Sequence, residues 1–500
     1  MYTKNFDSLK KYDWVWFWSG NWPLFDCSSA EEGKEFKKVF LKLTGTVPTL
    51  SALLFKGHNL TKYQAEEHYS RLRKVFFKNY DSNPAYVSQV SMEFDSEIKE
   101  NKKLIEEISA ENFSSKNNAE LIELFALAKK ALGFVLAMDF WCWYTEYFFT
   151  PRLEKLVSES LSDKNMVSDV LIKITTPFMP SKTLEEEESL VELAKMVLQE
   201  KINIESFNEI DLPEFNEKLN NHLEKFCWIP VLVNNKPLTK KDILNEIKNK
   251  SKEDLSKYKG MNSKLEKTKS DFNSVLNELN LGEKELKFVK ELNKTAFYRA
   301  ESNFLLSYFS FKLIPLYSEM AERIGLTYGE MKNFTDEEVE RFLKYNSKAD
   351  RQALNERTEF CYMLEEGKYF LETGDNALKI KSIIEGIPSS DSEEKMFFGM
   401  SASPGMITGK ARVLSDSSEI SKIEKGDILV APATSVDFVP AMKKASAIIT
   451  EFGGITSHAA IVSRELGIPC IVGVKNIAKI LKDGDKIKVD AFKGLIEKVD

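Results

Sequence analysis

The stretch Thr450-Glu-Phe-Gly-Gly-Ile-Thr-Ser-His458-Ala-Ala-Ile-Val-Ser-Arg-Glu-Leu-Gly-Ile-Pro469 decides how the C-terminal part of the chain folds. It predicts a Gly-Gly turn followed by an apolar helix, which a glycine and a proline end. His458 falls in the first helical turn, where unpaired N–H groups and the helix dipole favour an anion. Its imidazole is neutral near pH 7 and can accept and release a phosphoryl group. We therefore take His458 as the candidate catalytic residue.

The residues around His458 are suited to hold a phosphate group. Two glycines allow positive φ angles and a close approach of the backbone. Two hydroxyl residues can cap the helix or donate to a phosphate oxygen, and one arginine can pair with its charge. The predicted phosphate-binding residues are Gly453, Gly454, Thr456, Ser457 and Arg464. On this chemistry alone, a capping or core histidine stays open as the alternative for His458.

The composition is that of a soluble globular protein with more than one domain. The chain has 500 residues, of which 43% are hydrophobic and 29% charged, and this length exceeds what one hydrophobic core usually serves. The net charge of −7 is mild for such a length. We therefore expect neither nucleic acid nor a membrane surface as a partner.

The cysteines and histidines predict no metal or disulfide site. The five cysteines are widely spaced and form no C-x-x-C pair, which is typical of reduced cytosolic thiols. The four histidines are too few and too scattered for a multi-histidine metal site. We expect no metal and no cofactor bound by this chain itself.

The N-terminal residues do not have the pattern of a signal peptide. Charged residues, among them Lys4, Asp7 and Lys10, interrupt them before any apolar core develops. The longest apolar stretch, residues 131–143, contains Asp139 and is too short to span a bilayer. We therefore expect a cytoplasmic protein.

The hydrophobic period changes near residue 390. Before it, apolar residues recur at three- and four-residue spacing, which predicts a mostly helical region. After it, short β-branched runs are bounded by Gly, Pro or Asp and are separated in part by helical stretches. These runs are 411–414, 427–431, 447–450, 470–472 and 486–490. The predicted fold class is multidomain, with a large, mostly α-helical N-terminal region and a C-terminal α/β domain.

Two dense aromatic clusters lie in the helical region. The first comprises Trp14, Trp16, Phe17, Trp18, Trp22 and Phe25. The second comprises Phe140, Trp141, Trp143, Tyr144, Tyr147, Phe148 and Phe149. Aromatic residues at such spacing usually build a core. An aromatic-lined pocket for a small acceptor molecule is the alternative.

Four sequence blocks of the C-terminal domain occur in an order known from one protein family. They are Ala402-Ser-Pro-Gly405 with Gly409-Lys-Ala-Arg412, Gly426-Asp-Ile-Leu-Val-Ala431 with Thr434, Asp437 and Pro440, the His458 stretch, and Lys482-Asp-Gly-Asp485 with Val489, Asp490 and Gly494. Residues 399–500 thereby resemble the phosphohistidine, or swivelling, domain of phosphoenolpyruvate-utilising enzymes. These enzymes include phosphoenolpyruvate synthase, pyruvate phosphate dikinase and rifampicin phosphotransferase. Ser435 and Val436 depart from the family, in which a proline more often follows the threonine block.

The resemblance implies a phosphotransferase in which His458 carries the phosphoryl group. It also suggests a domain organisation: a helical domain at 1–275 as the candidate acceptor-binding part, a helical connector at 276–385, a linker at 386–396 and the swivelling domain at 397–500. The linker residues 386–394 are small, polar and acidic, which is typical of flexible segments. Such a linker would let the swivelling domain move between two sites.

The sequence shows neither of the two domains that accompany the swivelling domain in the family. It contains no glycine-rich nucleotide loop of the P-loop kind, and no strand-rich region with paired carboxylates for Mg²⁺. We also find no barrel domain for phosphoenolpyruvate. The resemblance then implies a split system, in which a separate ATP-grasp subunit binds ATP and Mg²⁺ and charges His458.

Two other functions stay open at this stage. The chain could be a non-catalytic binding or regulatory module that retains the swivelling fold. It could also bind a small molecule through the aromatic clusters alone. The acceptor is equally open: pyruvate, a phenol and a drug-like hydroxyl compound all agree with the sequence, as does phosphorylation of either ring nitrogen of His458.

Overall fold

The structure is a computed structural model, and it describes most of the chain. The described residues are 9–10, 14–21, 25, 34–47, 50–56, 59–83, 85–161, 166–206, 212–231, 236–253, 255–258, 260–357, 359–365, 368–385, 395–415, 417–434, 438–454 and 457–499. Residues 386–394 of the predicted linker lie outside these ranges, and so does Thr456.

Helices dominate the region before the predicted linker. They are α1 (Lys34–Thr44), α2 (Glu66–Ser82), α3 (Tyr86–Ser109), α4 (Asn118–Ser160), α5 (Val167–Thr175), α6 (Lys182–Gln199), α7 (Pro213–Phe226), α8 (Lys240–Lys250), α9 (Met261–Leu279), α10 (Glu283–Arg323), α11 (Tyr328–Met331), α12 (Asp336–Lys344), α13 (Gln352–Glu356) and α14 (Gly374–Glu385). The predicted mostly helical character of this region is confirmed. No helix among the described residues is long and apolar enough to cross a membrane.

Two long helices, α4 with 43 residues and α10 with 41, form the centre of this region and pack against each other. A capping box starts α4: the Asn117 side chain accepts from the Glu120 N–H, and the Glu120 carboxylate accepts from the Asn117 N–H. The main hydrophobic core includes residues from Phe25 to Tyr362. The helices on both sides of residue 275 therefore share one continuous core.

A five-stranded antiparallel sheet lies beside these helices. Its strands are β1 (Trp14–Asn21), β2 (Leu50–Lys56), β3 (Asn59–Ala65), β4 (Glu359–Glu365) and β5 (Lys368–Thr373), in the order β1-β3-β2-β4-β5. Alternate residues of β2 enter different cores: Leu53 faces the main core, whereas Leu54 packs towards α14. The sheet joins segments about 300 residues apart, and the helical period did not predict it.

Three helices form a smaller lobe, which we call the α6–α8 lobe. It has its own hydrophobic core, with contributions from each of its helices. Among its fully buried side chains are Ala194, Leu219 and Ile243. Burial raises the pKa values of Glu186 and Glu246, and the charge of Lys443 on the C-terminal domain opposes both shifts, so this lobe lies near that domain.

The C-terminal domain is an eight-stranded mixed sheet with short helices. Its strands are β6 (Met396–Phe398), β7 (Met400–Ser403), β8 (Met406–Val413), β9 (Ile428–Ala431), β10 (Ala447–Thr450), β11 (Cys470–Val472), β12 (Lys486–Asp490) and β13 (Leu495–Lys498), in the order β6-β13-β12-β8-β9-β10-β11-β7. The helices are α15 (Val439–Met442), α16 (His458–Leu466) and α17 (Ile477–Ile480). All five predicted runs lie on strands, and the predicted α/β class is confirmed.

Four neighbouring strands, β8 to β11, are parallel, and the last three of them are buried throughout. On β9, Ile428 and Val430 face one core, whereas Leu429 and Ala431 face the other, so every residue of the strand is buried. A parallel strand covered on both faces has such a continuous apolar run. The helix α16 covers the second face through Ala459 and Ala460, and this packing sets the direction in which its first turn points.

Candidate functional site

His458 is the first residue of α16, at the end of the loop that follows β10. Ser457 is the N-cap residue, and its side chain accepts a hydrogen bond from the Ala460 N–H at 3.4 Å. Gly467 ends the helix in the left-handed conformation at φ 67°. The helix α16 therefore begins and ends where the sequence predicts.

Gly453 gives the loop before α16 its shape. Its φ is +114°, a conformation that residues with a side chain rarely adopt. A Cβ atom at this position would also lie 2.9 Å from the Cβ and Oγ atoms of Ser457. A residue with a side chain here would displace the N-cap of α16.

The Nδ1 atom of His458 shares a hydrogen bond of 3.0 Å with the Thr434 Oγ1 atom. Thr434 follows β9, the parallel neighbour of β10, so the two strands bring the hydroxyl and the imidazole together at one sheet edge. Thr434 is not among the site residues predicted from the sequence. Thr434 could have been predicted, because the carboxyl ends of neighbouring parallel strands lie at the same edge of a sheet. The bond occupies Nδ1 and leaves Nε2 as the ring nitrogen for chemistry.

His458 lies in the wall of a cavity of about 520 Å³ between the helical region and the C-terminal domain. The C-terminal domain contributes Met400, Ala433, Thr434, Phe452, Gly453, Gly454, Ser457, His458 and Ala459. The helical region contributes Arg73, Phe77, Trp143, Glu146, Tyr147, Phe148, Thr150, Pro151, Arg152, Glu154 and Arg299. The volume is typical of sites for drug-sized molecules.

Most of the helical wall comes from two adjacent rows on α4. Trp143, Tyr147 and Pro151 form an apolar row with four-residue spacing, and the first two rings stack at 5.3 Å. Glu146, Thr150 and Glu154 form a second, polar row with the same spacing. We call it the polar row of α4. A Cβ atom on Gly454 would lie 3.5 Å from the Thr150 Cγ2 atom, so the loop before His458 lies against the middle of this row.

The second aromatic cluster is divided between the core and the lining of the cavity. Trp141, Tyr144 and Phe149 are fully buried in the main core. Trp143 and Tyr147 line the cavity. In the first cluster, the side chains of Trp14, Trp16, Phe17 and Trp18, and the whole of Trp22, lie outside the described residues. Phe25 is a core residue, in ring contact with Phe125 and Tyr317.

Ion pairs and cations surround the cavity. Arg299 donates to the Glu146 Oε2 atom at 3.0 Å, and both side chains are largely buried. Arg152 pairs with Asp81 at 3.2 Å, and Arg73 is exposed at the rim. These three arginines lie 159 or more residues before His458 in the sequence, and none of them is among the predicted site residues. Long-range packing, rather than any local motif, places them here.

Burial lowers the pKa of the His458 imidazole to about 3, and the Arg299 charge contributes in the same direction. An ordinary histidine has a pKa of about 6.5. Both causes penalise the protonated ring, because a second cation would have to enter a poorly hydrated space beside a guanidinium. The imidazole is therefore neutral at physiological pH and keeps a lone pair for bonding.

The predicted phosphate-binding residues are not all near the cavity. Gly453, Gly454 and Ser457 line it beside His458. Thr456 lies outside the described residues. Arg464 is in the last turn of α16 and not among the cavity residues. Burial raises the pKa of the Cys470 thiol, and the Arg464 charge opposes that shift, so Arg464 lies near Cys470 instead. No cluster of His, Cys, Asp and Glu among the described residues could hold a metal ion.

The fold and the site define an α/β domain that presents a neutral histidine at a helix N-terminus, next to a cavity shared with a second domain. Residues 423–494 match the model of the mobile domain of PEP-utilising enzymes. The resemblance found in the sequence is therefore confirmed: the C-terminal domain contains a segment that matches the mobile domain of these enzymes.

Part of the chain is also similar to phosphoenolpyruvate synthases. The enzyme of Pyrococcus furiosus is 41% identical over 183 residues, which are 36% of this chain and 22% of that protein. A probable phosphoenolpyruvate synthase of Archaeoglobus fulgidus is 51% identical over 119 residues, 24% of this chain and 16% of the relative. The chain thus matches less than a quarter of the length of these relatives.

One solved structure, Thermococcus kodakaraensis aconitase X in its holo-form, covers 21% of this chain at 21% identity. All of that chain is covered, but the TM-score is only 0.18. This likeness carries no argument about fold or function.

Proposed function

We propose that this protein is the phosphoryl-carrying component of a phosphotransferase, and that His458 transfers the group to a small-molecule acceptor in the cavity. The observation that carries the proposal is the position of the His458 ring. It lies at a helix N-terminus of a mobile domain and also in the wall of a cavity shared with the helical region. A phosphoryl carrier needs a neutral nucleophile and an acceptor-binding site next to it, and the position of His458 supports both.

Charging begins from the tautomer with the proton on Nδ1. In this form Nδ1 donates to Thr434 Oγ1, and Nε2 keeps its lone pair. The lone pair attacks the phosphorus atom of the donor, whose leaving oxygen takes the electron pair of the broken bond. The N-terminal N–H groups of α16 and the Ser457 hydroxyl would then stabilise the phosphoryl charge.

The donor in this proposal is ATP with Mg²⁺ on a separate ATP-grasp subunit. Attack on the β-phosphate expels AMP and leaves a diphosphoryl group on Nε2, and transfer of its terminal phosphoryl group to water then gives phosphohistidine and inorganic phosphate. The helical region covers His458 in the arrangement described above. The C-terminal domain would therefore move away to be charged and return to meet the acceptor. The predicted linker at 386–396 would permit this hinge motion.

The size and lining of the cavity support a small-molecule acceptor. A volume of about 520 Å³ suits a drug-sized compound, and the stacked rings of Trp143 and Tyr147 offer it an apolar surface. Holding the acceptor beside His458 would supply much of the rate by proximity and orientation.

Chemical charging of His458 tests the carrier role without a partner. Potassium phosphoramidate donates its phosphoryl group to imidazole nitrogens, and ³¹P NMR then reports a phosphohistidine. We expect one such signal in the native protein and in His222→Gln, a control at another buried histidine. The signal should disappear in His458→Gln. A native protein whose His458 takes no phosphoryl group would overturn the proposal.

A second experiment tests the donor. The chain is incubated with a purified ATP-grasp chain, Mg²⁺ and [β-³²P]ATP, beside the His458→Gln variant. Acid-labile, base-stable label on the native chain alone is the expected result. If the partner binds and hydrolyses ATP but no label reaches His458, the protein is a binding module rather than a carrier.

A further inference from the structure

Glu154 is an acidic residue of the cavity that the carrier role of His458 does not explain. It ends the polar row of α4, one helical turn beyond Thr150 and two turns beyond Glu146. Thr150 lies against Gly454, four residues before His458. The Glu154 carboxylate therefore belongs to the same small space as the His458 ring.

The two glutamates of this row differ in their partners. Glu146 is held in the ion pair with Arg299 at 3.0 Å. The Glu154 Oε1 atom is buried and has no hydrogen-bond partner among the described residues, and no ion pair involves this side chain there. The neighbouring cation, Arg152, is directed to Asp81 instead. Glu154 is thus the carboxylate of the cavity that remains available to a bound molecule.

A buried carboxyl group without a partner is unfavourable for folding, because it loses its hydration and gains no bond in return. Such groups occur at functional sites, where the substrate supplies the missing bond. Burial alone raises the pKa of Glu154. A raised pKa makes the carboxylate a stronger base, closer to what proton transfer at neutral pH requires.

We propose that Glu154 is the general base of the transfer from His458 to the acceptor, a step that rests on the proposed carrier function. The acceptor is then a molecule with a hydroxyl group, placed with its O–H between the carboxylate and the phosphorylated Nε2 atom. A hydroxyl group needs a base to take its proton, whereas a group that is already anionic does not.

The atoms of this step balance within the site. The acceptor O–H proton passes to the Glu154 carboxylate while the acceptor oxygen forms a bond to phosphorus. The P–Nε2 bond breaks, and its electron pair returns to Nε2. This leaves a neutral imidazole that keeps its Nδ1 proton at Thr434, a phosphorylated acceptor, and a Glu154 carboxylic acid that releases its proton to water.

Arg299 supports the same step from the other end of the polar row. Its charge adds to the effect of burial in lowering the pKa of the His458 imidazole. A cation at this position opposes protonation of the ring and stabilises the phosphoryl oxygens during transfer. The polar row of α4 thus has two different ends. Glu146 holds Arg299, whose charge acts on the imidazole, and Glu154, one turn beyond Thr150, is the free base.

The two half-reactions can be separated by experiment. The protein is charged with potassium phosphoramidate, freed of reagent, and mixed with phenol as a probe acceptor. ³¹P NMR then follows loss of phosphohistidine and appearance of phenyl phosphate and inorganic phosphate, so discharge to phenol and to water are both counted. We expect Glu154→Gln to be charged like the native protein and to lose the group about 100-fold more slowly.

Glu154→Asp should recover part of the discharge rate, because aspartate keeps the carboxylate on a shorter side chain. Glu159→Gln is the matched control: it changes an exposed glutamate of the same helix, outside the cavity, and should discharge like the native protein. Thermal unfolding of each variant checks that the fold is retained. A merely structural role would slow charging and discharge together.

The outcomes separate the two proposals. If His458 is charged but native protein and Glu154→Gln discharge at the same rate, the base assignment is wrong while the carrier function stands. If His458 cannot be charged in the native protein, the carrier function itself is wrong, and the base assignment fails with it.

Discussion

Enclosure between two domains determines the state of the His458 imidazole. Burial and the Arg299 charge lower its pKa to about 3, whereas an unfolded or solvent-exposed histidine titrates at about 6.5. Between these values the enclosed ring binds fewer protons than the free ring. The stability that this group contributes is therefore fully present above about pH 6.5 and declines as the pH falls towards 3.

An NMR titration of the histidine side chains measures this directly. The chain has only four histidines, so the His458→Gln spectrum identifies the resonance of His458. We expect the His458 ring to stay neutral down to at least pH 5. In Arg299→Gln, loss of the neighbouring cation should raise its pKa, but by less than full exposure would. A His458 resonance that titrates near 6.5 in the native protein would contradict the enclosed arrangement.

The adjacent glycines of the loop before α16 predict unequal effects of alanine. In Gly453→Ala, the φ of +114° and the 2.9 Å approach to Ser457 should destabilise the protein by about 1–3 kcal/mol. In Gly454→Ala, the new Cβ would meet the Thr150 methyl group at 3.5 Å, an ordinary contact, so the loss should be smaller. Urea denaturation gives both values. Equal losses would argue against this loop geometry.

At the scale of elements, the N-terminus of α16 supports the chemistry and the fold together. Its N-cap, Ser457, bonds to the Ala460 N–H and also lines the cavity. The helix itself packs on the sheet through Ala459 and Ala460. The cap thereby links the direction of the helix axis to the position of the His458 ring.

Removing the cap should affect stability and charging at once. In Ser457→Ala, we expect a loss of about 1 kcal/mol in the free energy of unfolding and slower charging by phosphoramidate. Ser457→Thr keeps a hydroxyl that can cap the helix and should lie between this variant and the native protein. If Ser457→Ala is charged at the native rate, the hydroxyl does not contact the transferred group.

Over the whole molecule, the C-terminal domain contacts the helical region at several places. The loop before His458 lies against Thr150 of α4, and the strand β7 contacts α5. On the α6–α8 lobe, burial and the charge of Glu246 raise the pKa of Glu186 to about 7, and the opposing charge of Lys443 limits that shift. A lysine of one domain near two glutamates of the other contributes a salt-sensitive attraction to docking.

A bulky residue at the centre of the first contact should separate the domains. In Thr150→Trp, the indole would occupy the space where Gly454 lies, so the C-terminal domain would dock less often. We then expect the pKa of His458 to move from about 3 towards the ordinary 6.5, as followed by NMR. Thr150→Ser is the matched control and should leave the pKa unchanged. An unchanged pKa in Thr150→Trp would mean that this contact does not control docking.

Local patterns in the chain were enough to predict the C-terminal domain. Its buried strands are short apolar runs bounded by Gly, Pro or Asp, and each run is on a strand. The start of α16 at His458 and its end at Gly467 also follow from nearby residues, because caps act within one helical turn. His458 could be predicted as the candidate reactive residue for the same reason.

Only the tertiary structure decided what faces His458. Glu146, Thr150 and Glu154 share one face of a helix that is apolar on nearly all sides, so its period could not show which face borders the cavity. Arg299 reaches the site from α10, and the sheet β1–β5 joins strands about 300 residues apart. Such contacts depend on how whole helices and domains pack, and no short stretch of sequence encodes them. The position of His458 at a helix N-terminus is a local feature of this protein, whereas its cavity results from long-range packing.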